Sequence, residues 1–230
     1  MIKHVVLIVI TFILMSLFVA SRSDMQPMHA WNRAFADVSL IYLAFIILLG
    51  SLSRLFTTLS KLIPWRRTIG IWAALTAIAH VFIILNGWIE WNFARLFFIF
   101  TPVGGDWIIH PGFALANTIG IVGLVYFLLL LATSNDKSEK LLGTKAWKYV
   151  QSKATTLYIL VLLHTFYFLC LHFTDHTNWV RTPFIILVTF ILLFQIVGFI
   201  LTVKSEKRQV NKVNDTSYFP YFASHCNNHF

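Results

Sequence analysis

The sequence predicts an all-α integral membrane protein, a six-transmembrane-helix bundle with both termini cytoplasmic, and three observations carry that expectation. Of its 230 residues 58% are hydrophobic and only 12% charged, where a water-soluble domain carries about 25% charged residues. Mean hydropathy is +0.74. Six stretches approach the roughly 20 apolar residues needed to cross a bilayer core, and the segments between them alternate in charge. This composition excludes an ordinary soluble enzyme, a disordered chain and a disulfide scaffold.

The apolar stretches run over residues 5–20, 38–56, 69–88, 112–133, 155–173 and 183–203. The first is the shortest. With Lys3 near its start and Val19-Ala20-Ser21 at its end it also reads as a cleavable signal segment, and either reading leaves the other five orientations unchanged. Before the third stretch stand Arg54, Lys61, Arg66 and Arg67; before the fifth stand Lys137, Lys140, Lys145, Lys148 and Lys153. Lys204, Lys207, Arg208 and Lys212 follow the sixth, and with Lys3 they put 14 of the 18 basic residues on one side. Arg22, Arg33, Arg95 and Arg181 remain on the other. The positive-inside rule makes the richer side cytoplasmic. A net charge of +9 therefore reports orientation and not nucleic-acid binding. The basic loops either set topology alone or also bind anionic lipid or a cytoplasmic partner.

Between the third and fourth stretches, Trp91, Phe93, Phe97, Phe98, Phe100 and Trp107 make the connection aromatic, while Glu90, Arg95 and Asp106 keep it out of the hydrocarbon. A short interfacial helix followed by a loop on the outer leaflet is expected, broken at Thr101-Pro102-Val103-Gly104-Gly105. An aromatic belt needs no further function. Asp37 is expected to pair with Arg33 one turn earlier. The organisation is thus a first helix and outer loop (1–34), a main bundle (35–203) and a polar tail (204–230).

Ionisable side chains within membrane spans mark functional sites by default, because burying them unpaired is costly. His80 lies 13 residues after Arg67, and His164 lies 13 after Gln151. At 1.5 Å per residue both imidazoles stand about 20 Å from the same end of the bundle. A depth-matched pair of neutral imidazoles in hydrocarbon suits the two axial positions of a b-type haem; a single buried histidine would suit a hydrogen bond to a neighbouring Ser or Thr. Gly70, Ala73 and Ala77 form a strip of small side chains below His80, compatible with a flat ring or with close helix packing. His172 and His176 near the far end of the fifth helix, with His29 and His110, read as interfacial residues or as a metal site. His225, Cys226 and His229 read as a solvated terminus. Cys170 and Cys226 suggest neither a disulfide nor a metal knuckle, no CxxCH permits covalent haem attachment, and no P-loop, GxGxxG or Ser-His-Asp pattern is present.

The run Arg66-Arg67-Thr68-Ile69-Gly70-Ile71-Trp72 leading to His80, then Leu131-Ala132-Thr133-Ser134, Leu142-Gly143, Trp147, and Tyr158 leading to His164, resembles the ferric reductase-like transmembrane family. The likeness spans about residues 35–200 and is nearest to its small bacterial branch of MsrQ-type haem-binding membrane subunits. It implies a bundle in a bacterial inner membrane that holds b haem through His80 and His164 and passes electrons to an outer-face or periplasmic oxidoreductase. The branch also places a histidine four residues after a tryptophan at the start of the fifth helix. This chain reads Trp147-Lys148-Tyr149-Val150-Gln151, so one haem b is expected and not two. Quinol is the expected donor, from the quinone pool, with FMN an open alternative; Arg95, Trp91 and His172 are candidate outer-face contacts. Two other readings remain open: a haem-free scaffold or assembly protein retaining the bundle, and a proton-coupled transporter using the two histidines.

Overall fold

The computed structural model describes residues 2–100, 105–172 and 179–223. Its helices are α1 (Ile2–Ala20), α2 (Pro27–Leu55), α3 (Arg66–Ile83), α4 (Pro111–Ala132), the short α5 (Asp136–Leu142) and α6 (Thr144–Ser152), α7 (Ala154–Phe166) and α8 (Arg181–Ala223). Among the described residues six helical segments are long and apolar enough to cross a membrane. The protein is therefore an all-α membrane bundle. Its helices α1 and α4, and the first half of α8, are apolar nearly all round, as a helix facing lipid on one side and protein on the other must be. Phe82, Val125 and Phe199 are exposed on faces that a bilayer would cover.

Helix α2 forms the axis, packed against α1, α3, α7 and α8. Its contact with α3 is made through small residues: Ala34, Val38, Ala73 and Ala74 are buried, and their short side chains let the two backbones approach. Ser39 Oγ donates to the carbonyl of Ala73 at 2.8 Å, and the hydroxyls of Tyr42 and Thr11 tie α2 to α1 at 2.6 Å. With no water in the hydrocarbon region, such polar groups need internal partners.

The end of the bundle that carries the N-terminus is closed by side chains on carbonyls. Lys3 Nζ donates to Pro64 O at 3.1 Å. Arg67 donates to Ser134 O at 3.1 Å and pairs with Asp136. At this end α2 passes into a 3-10 segment, Thr57–Trp65, before α3 begins.

The opposite end departs from expectation in three places. Helix α2 begins at Pro27, well before the apolar stretch, with the proline in its first turn where its missing N–H costs nothing. Asn32, Arg33 and Asp37 thus lie on the helix itself. Asp37 pairs with Arg22 from the α1–α2 turn and not with Arg33; Arg22 is 5% exposed. The connection after α3 is not a helix and loop alone. A 3-10 turn, Phe93–Leu96, leads into a two-stranded antiparallel hairpin, β1 (Phe98–Phe100) with β2 (Trp107–Ile109), in which Ile99 opposes Ile108. Glu90 and Trp91 adopt positive φ, 49° and 62°, to turn the chain, steadied by Trp91 Nε1 on Asn86 Oδ1 at 3.2 Å. At the terminus-bearing end, α8 continues helical beyond the sixth span through the polar tail to Ala223. Thr101 to Gly104, His176, His225, Cys226 and His229 lie outside the described residues.

A buried ion pair stripped of one partner loses about 3–5 kcal/mol. Asp37→Ala is accordingly expected to lower the thermal unfolding temperature of the detergent-solubilised protein. The double variant Asp37→Ala/Arg22→Met is expected to recover most of that loss, as scanning fluorimetry will show.

Candidate functional site

The two histidines singled out by depth meet across one cavity. It measures about 280 Å³ and lies between α2, α3, α4 and α7, with His80 and His164 both in its walls. Each is held the same way. His80 Nδ1 lies 3.1 Å from the backbone oxygen of Asn32, and His164 Nδ1 lies 2.8 Å from that of Ala116. A carbonyl only accepts, so each Nδ1 carries the proton and each Nε2 keeps its lone pair. That is the tautomer a metal-ligating histidine needs, oriented by its second nitrogen.

Local backbone serves this arrangement. His164 lies against α4 at Gly120, where an added Cβ would stand 2.7 Å from Cε1 and 2.8 Å from Nδ1 of the ring. Any other residue there displaces the imidazole. Both histidine-bearing helices also change pitch just beyond the histidine: α3 passes into a π turn at Ile84–Trp88 and α7 into another at Tyr167–His172. Such π turns recur at functional sites. Nothing in the apolar pattern announces them.

The remaining candidates distribute as follows. Ala77 lines the cavity. Gly70 and Ala73 face α2 instead: a Cβ on Gly70 would meet Ile46 at 3.6 Å, and Ala73 is fully buried with its carbonyl bound by Ser39. Arg95 and His172 line the cavity, as do Arg22, Asn32, Arg33 and Trp88, which the sequence reading did not connect with the histidines. Trp91 stands apart on the surface, 53% exposed. His29 lies edge-on to Trp88 at 4.9 Å. His110 caps α4, its Nδ1 accepting from the Phe113 N–H at 3.1 Å, and its ring is 6.4 Å from that of His172. Among the described residues no three His, Cys, Asp or Glu side chains converge as a metal site.

At the terminus-bearing end, Gln151 Nε2 donates to Thr133 Oγ1 at 2.9 Å and Trp147 Nε1 to Thr133 O at 2.8 Å. Between this end and the cavity Leu157, Tyr158 and Ile191 are buried, and Phe127 forms part of the cavity wall. Gln151 is a tie between α6 and the last turn of α4. Gln151→Ala is expected to cost about 1 kcal/mol of stability and to leave the chromophore of the purified protein unchanged, measured as its absorption per chain.

The fold and site together define a multi-pass membrane protein with two imidazoles, one on each of two spans that run in the same direction, lining one apolar cavity. The family model described as the ferric reductase-like transmembrane component matches residues 33–162. That is more than half of the chain, and the protein belongs to this family. The match takes in His80 and Gln151 and stops just short of His164. No curated protein matches the chain significantly.

Proposed function

We propose that the chain is a b-type haem subunit of a bacterial inner membrane, with cytoplasmic termini, that passes electrons from quinol to an oxidoreductase or acceptor on the outer side. Membership of a ferric reductase-like transmembrane family supports membrane electron transfer as the general role. The observation that carries the haem assignment is the paired tautomer: two Nδ1–H groups spent on backbone carbonyls leave two Nε2 lone pairs facing one cavity. His80 and His164 would hold the iron, with Ala77 leaving room for a flat ring. When bound, b haem supplies a one-electron centre that is reduced and reoxidised without bond breaking.

The chain's own residues exclude water and fix the ligands. Apolar walls surround the cavity and keep the environment one in which charge changes at the metal are felt strongly. Helices α3 and α7 each contribute one histidine, so the MsrQ-type second site has no facing pair here; Gln151 holds Thr133. The site stands about 20 Å from the cytoplasmic end at 1.5 Å per helical residue, a long gap for direct electron delivery from that side. A quinol in the outer half of the bilayer avoids it. Anaerobic addition of a soluble quinol to the purified protein tests the donor. Rapid reduction of the haem bands is expected; reduction by reduced flavin and not by quinol would reassign the donor to FMN.

A further inference from the structure

A second cleft, of about 380 Å³, opens at the terminus-bearing end between α1, α2 and the 3-10 segment Thr57–Trp65. It shares no wall residue with the cavity of His80 and His164. Leu7, Tyr42 and Ile69 form its buried floor, while Val6, Ile10 and Leu62 stand exposed on its rim. The cleft therefore opens on a surface that a bilayer covers. Tyr42 has its hydroxyl on Thr11, and the walls present no polar atom to an occupant. Apolar cavities stay dry, so the occupant these walls suit is hydrocarbon.

The mouth of the cleft is charged. In a 3-10 segment side chains three apart share a face. Leu62 and Trp65 accordingly turn to the cleft, while Thr58, Lys61 and Pro64 lie exposed on the neighbouring face. Lys3 reaches the same segment from α1. Its Nζ donates to Pro64 O at 3.1 Å and stands 5.8 Å from the centre of the Trp65 ring. An ammonium has three donors, and that bond uses one of them. Neither α1 nor residues 38–89 contain any Asp or Glu. Among the described residues no carboxylate pairs with Lys3 or Lys61. Two lysines within one turn of each other on this segment thus face the membrane surface without a counter-charge.

We propose that the cleft holds one acyl chain of an anionic phospholipid, with the lipid phosphate between Lys3 and Lys61. An apolar slot below and two ammoniums above match the two parts of such a lipid, since lysine binds phosphate as a point charge and basic residues beside a span attract anionic headgroups. The neutral headgroup of a quinol gains nothing from the two charges, which assigns the occupant to phospholipid and not to an isoprenoid tail. A lipid seated there bridges α1 to the Thr57–Trp65 segment. The site is independent of the haem assignment.

The test uses the full chain in detergent, stripped of bound lipid and titrated with dioleoylphosphatidylglycerol or dioleoylphosphatidylcholine. Native mass spectrometry counts the lipid retained. One phosphatidylglycerol is expected to bind at least about fivefold more tightly than phosphatidylcholine, the worth of one lysine near an anionic surface. In Lys3→Gln/Lys61→Gln that preference is expected to vanish, with phosphatidylcholine binding unchanged. Ile10→Trp, which fills the cleft from its exposed rim, is expected to weaken both lipids at least about tenfold by displacing two or three methylenes. Equal affinity for the two lipids in the native chain, or a preference that survives loss of both lysines, overturns the anionic site. Undiminished binding in a folded Ile10→Trp overturns the cleft as its place, and displacement of the phosphatidylglycerol by an isoprenoid quinone overturns the choice of occupant.

Discussion

His164→Ala is expected to insert in the membrane, fold with native helicity, and purify without a low-spin haem spectrum. His80→Ala is expected to do the same. The reason is geometric. Each ring already spends its Nδ1–H on a backbone carbonyl, at 2.8 Å for His164 and 3.1 Å for His80, which leaves Nε2 as its ligating nitrogen. Loss of one axial ligand from a bis-imidazole site leaves a five-coordinate iron, and haem content is expected to fall from about one per chain towards zero. Added imidazole, small enough to occupy the space left by His164→Ala, is expected to restore part of the low-spin absorption. Haem retention by both single variants with an unchanged spectrum would remove these two residues from the site.

Gly120→Ala is the second large effect, and the less obvious one. One methyl group placed 2.8 Å from Nδ1 of His164 cannot coexist with the ring where it stands. Either the side chain leaves its preferred rotamer, at about 0.5–1.5 kcal/mol, or it gives up the bond to Ala116 O, at about 1 kcal/mol. Either route costs about 1 kcal/mol, a loss of roughly fivefold in haem affinity. Gly123→Ala is the control: a Cβ there meets Leu157, Leu160 and Val161 only at 3.9–4.0 Å, ordinary contact. Haem titration of the two variants is expected to separate them clearly. Equal behaviour would mean that His164 is free to move and is not held by α4.

The bundle was legible in the sequence because lipid imposes a length and a polarity on every span. The histidine pair was legible too, since equal spacing from a shared membrane face needs only the rise of a helix. What escaped was everything decided by side-chain partners. A hydropathy window begins α2 after Asn32, Arg33 and Asp37, because it counts polar residues as exposed; in the structure Asp37 is neutralised by Arg22 across the turn. Pairing Asp37 with Arg33 followed the one-turn rule for an isolated helix, which knows nothing of a neighbouring chain segment. Gly70 and Ala73 matched the spacing of a face, but the face they share is the one against α2. Gly120 gave no signal, since a lone glycine in an apolar helix reads as packing. The π turns after His80 and His164 and the short hairpin between Phe98 and Ile109 are likewise products of tertiary packing that local pattern does not encode.

The account rests on one b haem held between His80 and His164. Its most direct test is a reduced-minus-oxidised visible spectrum of the purified protein with pyridine haemochrome quantification. The expected result is a low-spin bis-histidine spectrum and about one b haem per chain. Two haems per chain would contradict the expectation of a single site, and none, after expression with ample haem, would contradict the account outright.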